Sequence, residues 1–239
     1  MLPKAILFDM DDTIILSGGI SNEIWDEVSR YFIDKYNLFE YEVFISKLYS
    51  IRNWYWSEKQ RHKIGRQDML LARRNLIKMT IEGLGGRDEG YSDEMAQLFQ
   101  KRHLESMKMF DKAQDTLVEL RKRGVRLALV TNGGICEQRA KIEKFQLEKF
   151  FDTILVEGET GFGKPEPEVY LLALERLGVK AEDTWMIGDN LEWDVEGPQK
   201  LGILGIWNDY RNNGLPVDST VIPDRTVRSV SELLEGLEQ

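Results

Sequence analysis

Three aspartates follow a short apolar run near the beginning of the chain. The run AILF, residues 5–8, leads directly into Asp9, Asp11 and Asp12. Turn and cap chemistry is the common role of an aspartate pair after a strand. Carboxylates held within a few ångströms of each other also raise one another's pKa, because each disfavours the charge on the next. The spacing therefore indicates a site where something neutralises the acids, and a divalent cation would do so.

Other polar residues stand at the ends of later apolar runs. They are Thr131 and Asn132 at the end of VRLALVT (125–131), Lys164 in GFGKPEP, Asp189 at the end of TWMIGD (184–189), and Asp194 shortly after it. In an open parallel sheet, ligands bind beyond the carboxyl ends of the strands, where the strand order reverses. If the order is 3-2-1-4-5, the first and fourth strands are neighbours at that reversal, and Asp9 would face Asp189.

The predicted site favours Mg²⁺ and a phosphate ester. Carboxylate oxygens with no His or Cys nearby are hard ligands that suit Mg²⁺, which also binds phosphate oxygens. Hydrogen-bond donors come from Thr131, Asn132 and the turn amides at Met10 and Asp11. Lys164 adds one positive charge. Donors beside a metal ion suit a phosphoryl group.

Five apolar runs predict the strands that position these residues: 5–8, 125–131, 151–157, 184–189 and 202–208. Three of them are close to continuously apolar, as strands covered on both faces are. Helical patterns over 112–123, 135–146 and 168–177 separate the later strands. This alternation predicts an α/β fold with a Rossmann-like, doubly wound parallel sheet.

Residues 17–109 contain no convincing strand and show helical periodicity throughout. Four amphipathic patterns there predict a four-helix insert after the first strand. The predicted domains are an α/β core of residues 1–16 and 110–239 and a helical domain of residues 17–109. His62 and His103 lie in the helical domain and are expected at its surface.

Composition restricts the partners of the protein. The 239 residues include 32 basic and 41 acidic side chains, a formal net charge of -9, so nucleic acid and anionic membranes would repel the chain. No apolar run approaches the roughly 20 residues of a membrane helix. A single cysteine, Cys136, excludes an intrachain disulfide. We expect a cytoplasmic monomer or homodimer that acts on a small phosphorylated metabolite.

Four motifs stand in order along the chain, each at a predicted strand end: DMDDT, VTNGG, GKP and GDNLEWD. Together they resemble the signature motifs of the haloacid dehalogenase-like hydrolases, and residues 17–109 resemble the helical cap that this family inserts after its first strand. The segment from VRLALVTNGG to GKPEPEVY is further similar to the branch of N-acylneuraminate-9-phosphatases and pyrimidine 5'-nucleotidases. The resemblance implies this family's fold and the hydrolysis of phosphate esters.

The resemblance also implies a role for each motif residue. Asp9 would be the nucleophile that forms an aspartyl-phosphate. Asp11 would protonate the leaving oxygen and later take a proton from the attacking water. Thr131 and Asn132 would hold phosphoryl oxygens, and Lys164 would spread the developing charge.

The metal ligands are implied in the same way. Asp9, Asp189 and the backbone carbonyl of Asp11 would bind Mg²⁺. Asp194 would support these ligands or replace one of them, unless it simply caps the following helix. Asp12 takes a position that often holds Gly or Asn, and we expect its side chain to face away from the metal.

Asp11 distinguishes phosphate esters from other substrates of the family, because dehalogenase and phosphonatase relatives lack an aspartate at its position. Two alternatives remain open. One is a phosphomutase that uses the same two aspartates, and the other is a module that binds a phosphorylated ligand without turnover. The presence of Asp9, Asp11 and Lys164 argues against the second alternative.

The cap segment IRNWYWSEKQRHKIGR, residues 51–66, combines aromatic and basic side chains. Its aromatic residues would pack the cap helices, which is the usual role of such spacing. The alternative is a lid that contacts the leaving group and excludes water. Under that alternative, substrate specificity is set by Arg52, Trp54, Trp56 and Arg66.

Overall fold

The computed structural model describes residues 2–235 of the chain. These residues divide into two compact units: the chain up to Leu16 and from Lys108 onward forms the first, and Ser17–Met107 forms the second. Within the described residues, all strands belong to the first unit. Among the same residues, no helix combines the length and the apolar composition that crossing a membrane requires.

The described part of the first unit contains eight strands. They are β1 (Ala5–Phe8), β2 (Ile15–Leu16), β3 (Lys108–Met109), β4 (Arg126–Thr131), β5 (Thr153–Val156), β6 (Thr184–Gly188), β7 (Leu204–Asn208) and β8 (Arg225–Val227). Six of them form a parallel sheet in the order β5-β4-β1-β6-β7-β8, while β2 and β3 pair antiparallel. The predicted order is confirmed as β5-β4-β1-β6-β7, and β8 extends the sheet by a strand that was not predicted.

Strand β1 lies inside the sheet, and all four of its residues are buried. Its last residue, Phe8, is level with Leu129 of β4 on one side and with Ile187 of β6 on the other. Because β4 and β6 flank β1, the strand order reverses here and the carboxyl ends of three strands meet. Burial on both faces explains why AILF is apolar at every position.

Ten α-helices occur in the described residues. The second unit contains α1 (Ser21–Tyr36), α2 (Tyr41–Ser57), α3 (Lys59–Gly65), α4 (Met69–Gly83) and α5 (Tyr91–Ser106). The first unit contains α6 (Ala113–Lys122), α7 (Ile135–Lys144), α8 (Glu157–Thr160), α9 (Pro167–Leu177) and α10 (Gly197–Gln199). The three helices predicted between the later strands correspond to α6, α7 and α9. Pro167 lies in the first turn of α9, where no amide hydrogen is needed.

The core of the first unit packs α9 with the central strands. Val169, Tyr170 and Ala173 of α9 belong to one buried cluster with Leu7 of β1. Their spacing places all three on one face of the helix. This packing anchors the segment immediately before α9, which carries Lys164.

The second unit adds a short helix, α3, to the four that were predicted. The Glu58 side chain accepts hydrogen bonds from the backbone amides of Gln60 and Arg61, so a new helix begins directly after α2. The core of this unit is shared by α1, α2, α4 and α5. In it, the rings of Trp25 and Phe99 pack with their centroids 4.1 Å apart.

His103 is buried, so the expectation of a surface position is wrong for this residue. Its Nε2 lies 2.9 Å from the carbonyl oxygen of Ser17, and its ring centroid lies 5.3 Å from that of Phe99. His62 is half-buried, with its ring centroid 5.3 Å from that of Trp56. Both histidines therefore pack against aromatic rings of the second unit.

Candidate active site

A buried lysine joins two aspartates beyond the carboxyl ends of β1 and β6. The Lys164 ammonium donates to Asp9 Oδ1 at 2.6 Å and to Asp194 Oδ1 at 2.6 Å. Lys164 exposes only 1% of its surface, and an ammonium in the interior needs such partners because an unpaired charge there is strongly destabilising. Burial opposes its charge, but the two carboxylates outweigh burial and raise the pKa of Lys164, so the lysine stays protonated.

Asp189 brings a third carboxylate to the same place. One oxygen from each of Asp9, Asp189 and Asp194 lies within 4.8 Å of the others. Burial is the main cause that raises the pKa of Asp9 to about 7, with Lys164 opposing it and Asp194 adding to it. Burial, then the charges of Asp9 and Asp194, raise the pKa of Asp189 to about 8. The structure thus brings Asp9 and Asp189 together at the ends of neighbouring strands.

These three carboxylates form a set that fits a hard divalent cation. Every candidate ligand atom is an oxygen, and oxygen ligands are what Mg²⁺ and Ca²⁺ require. The raised pKa values of Asp9 and Asp189 show that burial and mutual repulsion disfavour their charged forms. A divalent ion would offset the repulsion that the single charge of Lys164 leaves.

Both carboxylate oxygens of Asp194 have protein partners. Oδ1 accepts from Lys164, and Oδ2 accepts from the backbone amide of Asn190 at 3.0 Å. The helical turn after β6 is capped by Asn190, whose side chain accepts from Trp193 N, so Asp194 is not the cap of that turn. A Cβ on Gly188 would lie 2.2 Å from Asp194 Cγ. Strand β6 therefore has to end in glycine for Asp194 to contact the lysine.

Asn132 holds the backbone that carries Lys164. Its Nδ2 donates to the Lys164 carbonyl oxygen at 2.7 Å, and its Oδ1 accepts from Lys164 N at 2.8 Å. The side chain is therefore engaged by protein, whereas the resemblance implies a phosphoryl ligand at this position. Thr131 is buried at the end of β4, and its Oγ1 accepts from Gln138 Nε2 at 2.6 Å. Its hydroxyl hydrogen remains for another acceptor.

The turn after β1 holds the Asp9 carboxylate from its second side. Met10 is buried, and its carbonyl oxygen accepts from the amides of Ile14 and Ile15, both at 3.0 Å. This closed turn places Thr13, whose Oγ1 donates to Asp9 Oδ2 at 3.1 Å. Sequence reasoning missed Thr13 as a site residue, although it is the last residue of DMDDT.

Asp12 adopts the left-handed backbone region, with φ of 57°, which explains why Gly or Asn suits its position. Its side chain is buried and accepts from the Tyr210 hydroxyl at 2.8 Å. Its charge is also among the causes that raise the pKa of Asp189. Asp12 thus adds to the charge of the acidic cluster while its carboxylate bonds to the loop after β7.

Asp11 contacts two residues of α7 that sequence reasoning missed. Lys141 Nζ lies 2.9 and 2.8 Å from the two Asp11 carboxylate oxygens, and Gln138 Nε2 lies 3.1 Å from Asp11 Oδ2. Both α7 side chains are buried. Their separation of three residues places them on one face of the helix. A glutamine and a lysine at that spacing after VTNGG were the available signal.

The four specificity candidates of the cap segment lie in the second unit. Trp54 is 50% exposed, and the guanidinium of Arg61 lies 4.3 Å from its ring centroid. Arg52, Trp56 and Arg66 are half-buried. The ring of Trp54 is thus only partly covered by its neighbours, and a role of the four residues in specificity stays a prediction.

Comparison with known proteins identifies the family of the chain. Residues 3–202 match the family model of the haloacid dehalogenase-like hydrolases. The chain belongs to this family. This haloacid dehalogenase-like hydrolase is 31% identical to the N-acylneuraminate-9-phosphatase of Rattus norvegicus over 232 aligned residues. The alignment covers 96% of this chain and 92% of that protein. It is 28% identical over 247 residues to the phosphoserine phosphatase of Thermus thermophilus, covering 96% and 97% of the two chains.

The solved structures confirm the fold of this haloacid dehalogenase-like hydrolase. The HAD-hydrolase YfnB from Bacillus subtilis, whose structure was determined bound to magnesium, superposes with a TM-score of 0.74 at 23% identity over 100% of both chains. The predicted family, the α/β fold class and the predicted enzyme class are confirmed: the chain is a phosphoric monoester hydrolase of the haloacid dehalogenase-like type.

Proposed function

We propose that this hydrolase cleaves small phosphomonoesters through a phospho-aspartate formed on Asp9. The observation that carries the proposal is the buried contact of 2.6 Å between Asp9 Oδ1 and the Lys164 ammonium. Thr13 bonds to the other oxygen of Asp9, and Asp11 stands two residues further on. A carboxylate that is held on both oxygens in a buried site is oriented for in-line attack.

The proposed reaction has two steps. In the first, an Asp9 oxygen bonds to phosphorus while the bond from phosphorus to the ester oxygen breaks, and protonated Asp11 gives its proton to that oxygen so that an alcohol leaves. In the second, Asp11 takes a proton from a water molecule whose oxygen attacks phosphorus, and the bond from phosphorus to Asp9 breaks. The products are inorganic phosphate, the Asp9 carboxylate and protonated Asp11.

Fixed charges and donors would stabilise the transferring phosphoryl group. The ammonium of Lys164 offsets the negative charge that develops on the phosphoryl oxygens, and it does so from a buried position where charges interact strongly. The proposed hydrogen-bond donors are the Thr131 hydroxyl and the backbone amides of Met10, Asp11 and Asn132. A backbone role for Asn132 fits the engagement of its side chain by Lys164.

We assign Mg²⁺ to the carboxylates of Asp9 and Asp189 and to the backbone carbonyl oxygen of Asp11. Asp194 supports this set by holding Lys164. When bound, the ion supplies positive charge to the carboxylates and to a phosphoryl oxygen of the ester. The raised pKa values of Asp9 and Asp189 support this assignment, because a cation between them would favour their charged forms.

The proposed substrates are small phosphorylated metabolites, namely sugar phosphates, sugar-acid phosphates or nucleotides. The relatives named N-acylneuraminate-9-phosphatase and phosphoserine phosphatase support this class. We assign substrate preference, rather than the phosphoryl chemistry, to residues of the second unit: Arg52, Trp54, Trp56 and Arg66.

Hydrolysis of p-nitrophenyl phosphate, measured with Mg²⁺ and with a chelator, tests the proposal. The protein should release nitrophenol and inorganic phosphate in equal amounts and lose most of its turnover with the chelator. Asp9→Asn should lower turnover by about 10³-fold or more, because an amide cannot replace the attacking carboxylate. Asp115→Asn is the matched control, since it makes the same change at an exposed position of α6.

Turnover of Asp9→Asn at the wild-type rate would refute the nucleophile assignment. Wild-type turnover at the same rate with and without the chelator would refute the metal assignment. The phosphomutase alternative would return the phosphoryl group to a sugar and release no net inorganic phosphate. The binding-module alternative would show no turnover under either condition.

A further inference from the structure

A buried lysine binds Asp11, and the reaction proposed above does not use it. Lys141 Nζ lies 2.9 and 2.8 Å from the two carboxylate oxygens of Asp11. The Lys141 side chain is 6% exposed and that of Asp11 is 32% exposed. An exposed ion pair contributes little to stability, whereas a buried ammonium has to be paired. Asp11 is therefore the partner that the buried position of Lys141 requires.

Gln138 connects the same carboxylate to the end of β4. Its Nε2 lies 3.1 Å from Asp11 Oδ2, 2.6 Å from Thr131 Oγ1 and 2.7 Å from the carbonyl oxygen of Asn132. Gln138 is 2% exposed, so these contacts are shielded from competing water. The carboxylate of Asp11, the end of β4 and one face of α7 thus form a single hydrogen-bonded group.

We propose that Lys141 and Gln138 are positioning residues that hold the Asp11 carboxylate where it exchanges protons with the leaving oxygen and with water. This inference rests on the proposed function. A general acid has to lie within hydrogen-bond reach of the proton it transfers, and a misplacement of about 1 Å costs about 100-fold in rate. Asp11 lies in a turn and is partly exposed, so the two donors from α7 restrict the position of its side chain.

Two esters of similar size separate positioning from general damage. Nitrophenolate leaves p-nitrophenyl phosphate without a proton, whereas the strongly basic alkoxide of benzyl phosphate needs one. Lys141→Met should lower kcat/KM about tenfold or more for benzyl phosphate and less than about threefold for p-nitrophenyl phosphate. In a two-step reaction, kcat/KM covers the steps up to departure of the alcohol or phenol. An unfolded fraction lowers both values equally, so their ratio is independent of folding.

Matched variants test whether the effect depends on this lysine and its charge. Lys144→Met removes an exposed lysine from the same helix, and the ratio of the two kcat/KM values should not change. Lys141→Arg keeps the charge and can donate to both oxygens of a carboxylate, so it should restore the ratio to within about threefold of wild type. Gln138→Met should shift the ratio in the same direction as Lys141→Met.

A double variant tests whether Lys141 acts through Asp11. In an Asp11→Asn background, Lys141→Met should not change the ratio of the two kcat/KM values further, because the group that Lys141 positions is gone. Equal losses on both esters, an additive change of the ratio in that background, or faster cleavage of benzyl phosphate by Lys141→Met would overturn the inference. Turnover that survives Asp9→Asn would instead refute the phospho-aspartate, so the two failures are distinguishable.

Discussion

Replacing Lys164 with methionine should strongly lower the free energy of unfolding. The ammonium makes two contacts of 2.6 Å, and the side chains involved are 1% exposed for Lys164, 11% for Asp9 and 1% for Asp194. Methionine is close to lysine in length, so the main change is the loss of charge. Removing one partner of a buried ion pair costs about 3–5 kcal/mol, because the remaining charge is left uncompensated. We expect a loss in this range at pH 8.

The measurement is urea unfolding followed by circular dichroism, with a chelator present so that metal binding does not contribute. Lys4→Met is the matched control, since Lys4 pairs with Asp183 at 2.8 Å while their side chains are 70% and 30% exposed. A surface pair of this kind contributes about 0–1 kcal/mol. The difference between the two variants reports the combined effect of burial and of the second carboxylate partner on the same chemical change.

The cost of Lys164→Met should also depend on pH. Lys164 lowers the pKa of Asp9, so its removal raises that pKa further above the usual value. The uncompensated charge of Asp9 disappears when its carboxylate is protonated, and the loss of stability should therefore shrink as pH falls from 8 towards 5. A loss at pH 8 no larger than that of Lys4→Met, or a loss that grows as pH falls, would refute this reasoning.

Three further predictions follow from the site. Without metal, the free energy of unfolding should fall as pH rises from about 4 towards 8, because the pKa values of Asp9 (about 7) and Asp189 (about 8) are raised and the folded state binds the extra protons. This fall should be steeper than in the Asp189→Asn variant. Mg²⁺ should raise Tm more at pH 8 than at pH 6. Gly188→Ala should cost about 1–3 kcal/mol in urea unfolding and reduce turnover, since its Cβ would meet Asp194; a stable, active variant would contradict the packing described. Trp54→Ala should reorder a panel of phosphorylated metabolites while leaving p-nitrophenyl phosphate turnover nearly unchanged, and an unaltered order would exclude Trp54 from specificity.

Sequence patterns located the sheet because its central strands are buried on both faces. The run AILF coincides with β1. Its short length and the aspartates that follow it favour a buried strand over a buried helix. Strand β8 was missed because only its last residue, Val227, is buried, so no apolar run marks it. Helix α3 was missed because its beginning depends on the Glu58 cap, which interrupts a pattern that otherwise reads as one segment.

The shared location of Asp9, Lys164 and Asp189 was predictable because the carboxyl ends of parallel strands meet at one edge. The contacts within the site were not. Lys141 and Asp11 are 130 residues apart in the chain, and the Asn132 side chain bonds to a backbone 32 residues further on. Such pairings depend on loop conformation and rotamers, which spacing along a sequence does not encode.

The reciprocal pair of bonds between the Asn132 side chain and the Lys164 backbone has a consequence for how this enzyme tolerates change. These bonds fix the Lys164 backbone to the end of β4. The position of the ammonium is therefore independent of the length of chain that leads to Lys164 from β5. Insertions between Thr160 and Gly163 should therefore lengthen the loop without moving the lysine away from Asp9. A substitution at Asn132 would remove both bonds, and the position of the Lys164 ammonium in the proposed site would then depend on the conformation of the loop that leads to it from β5.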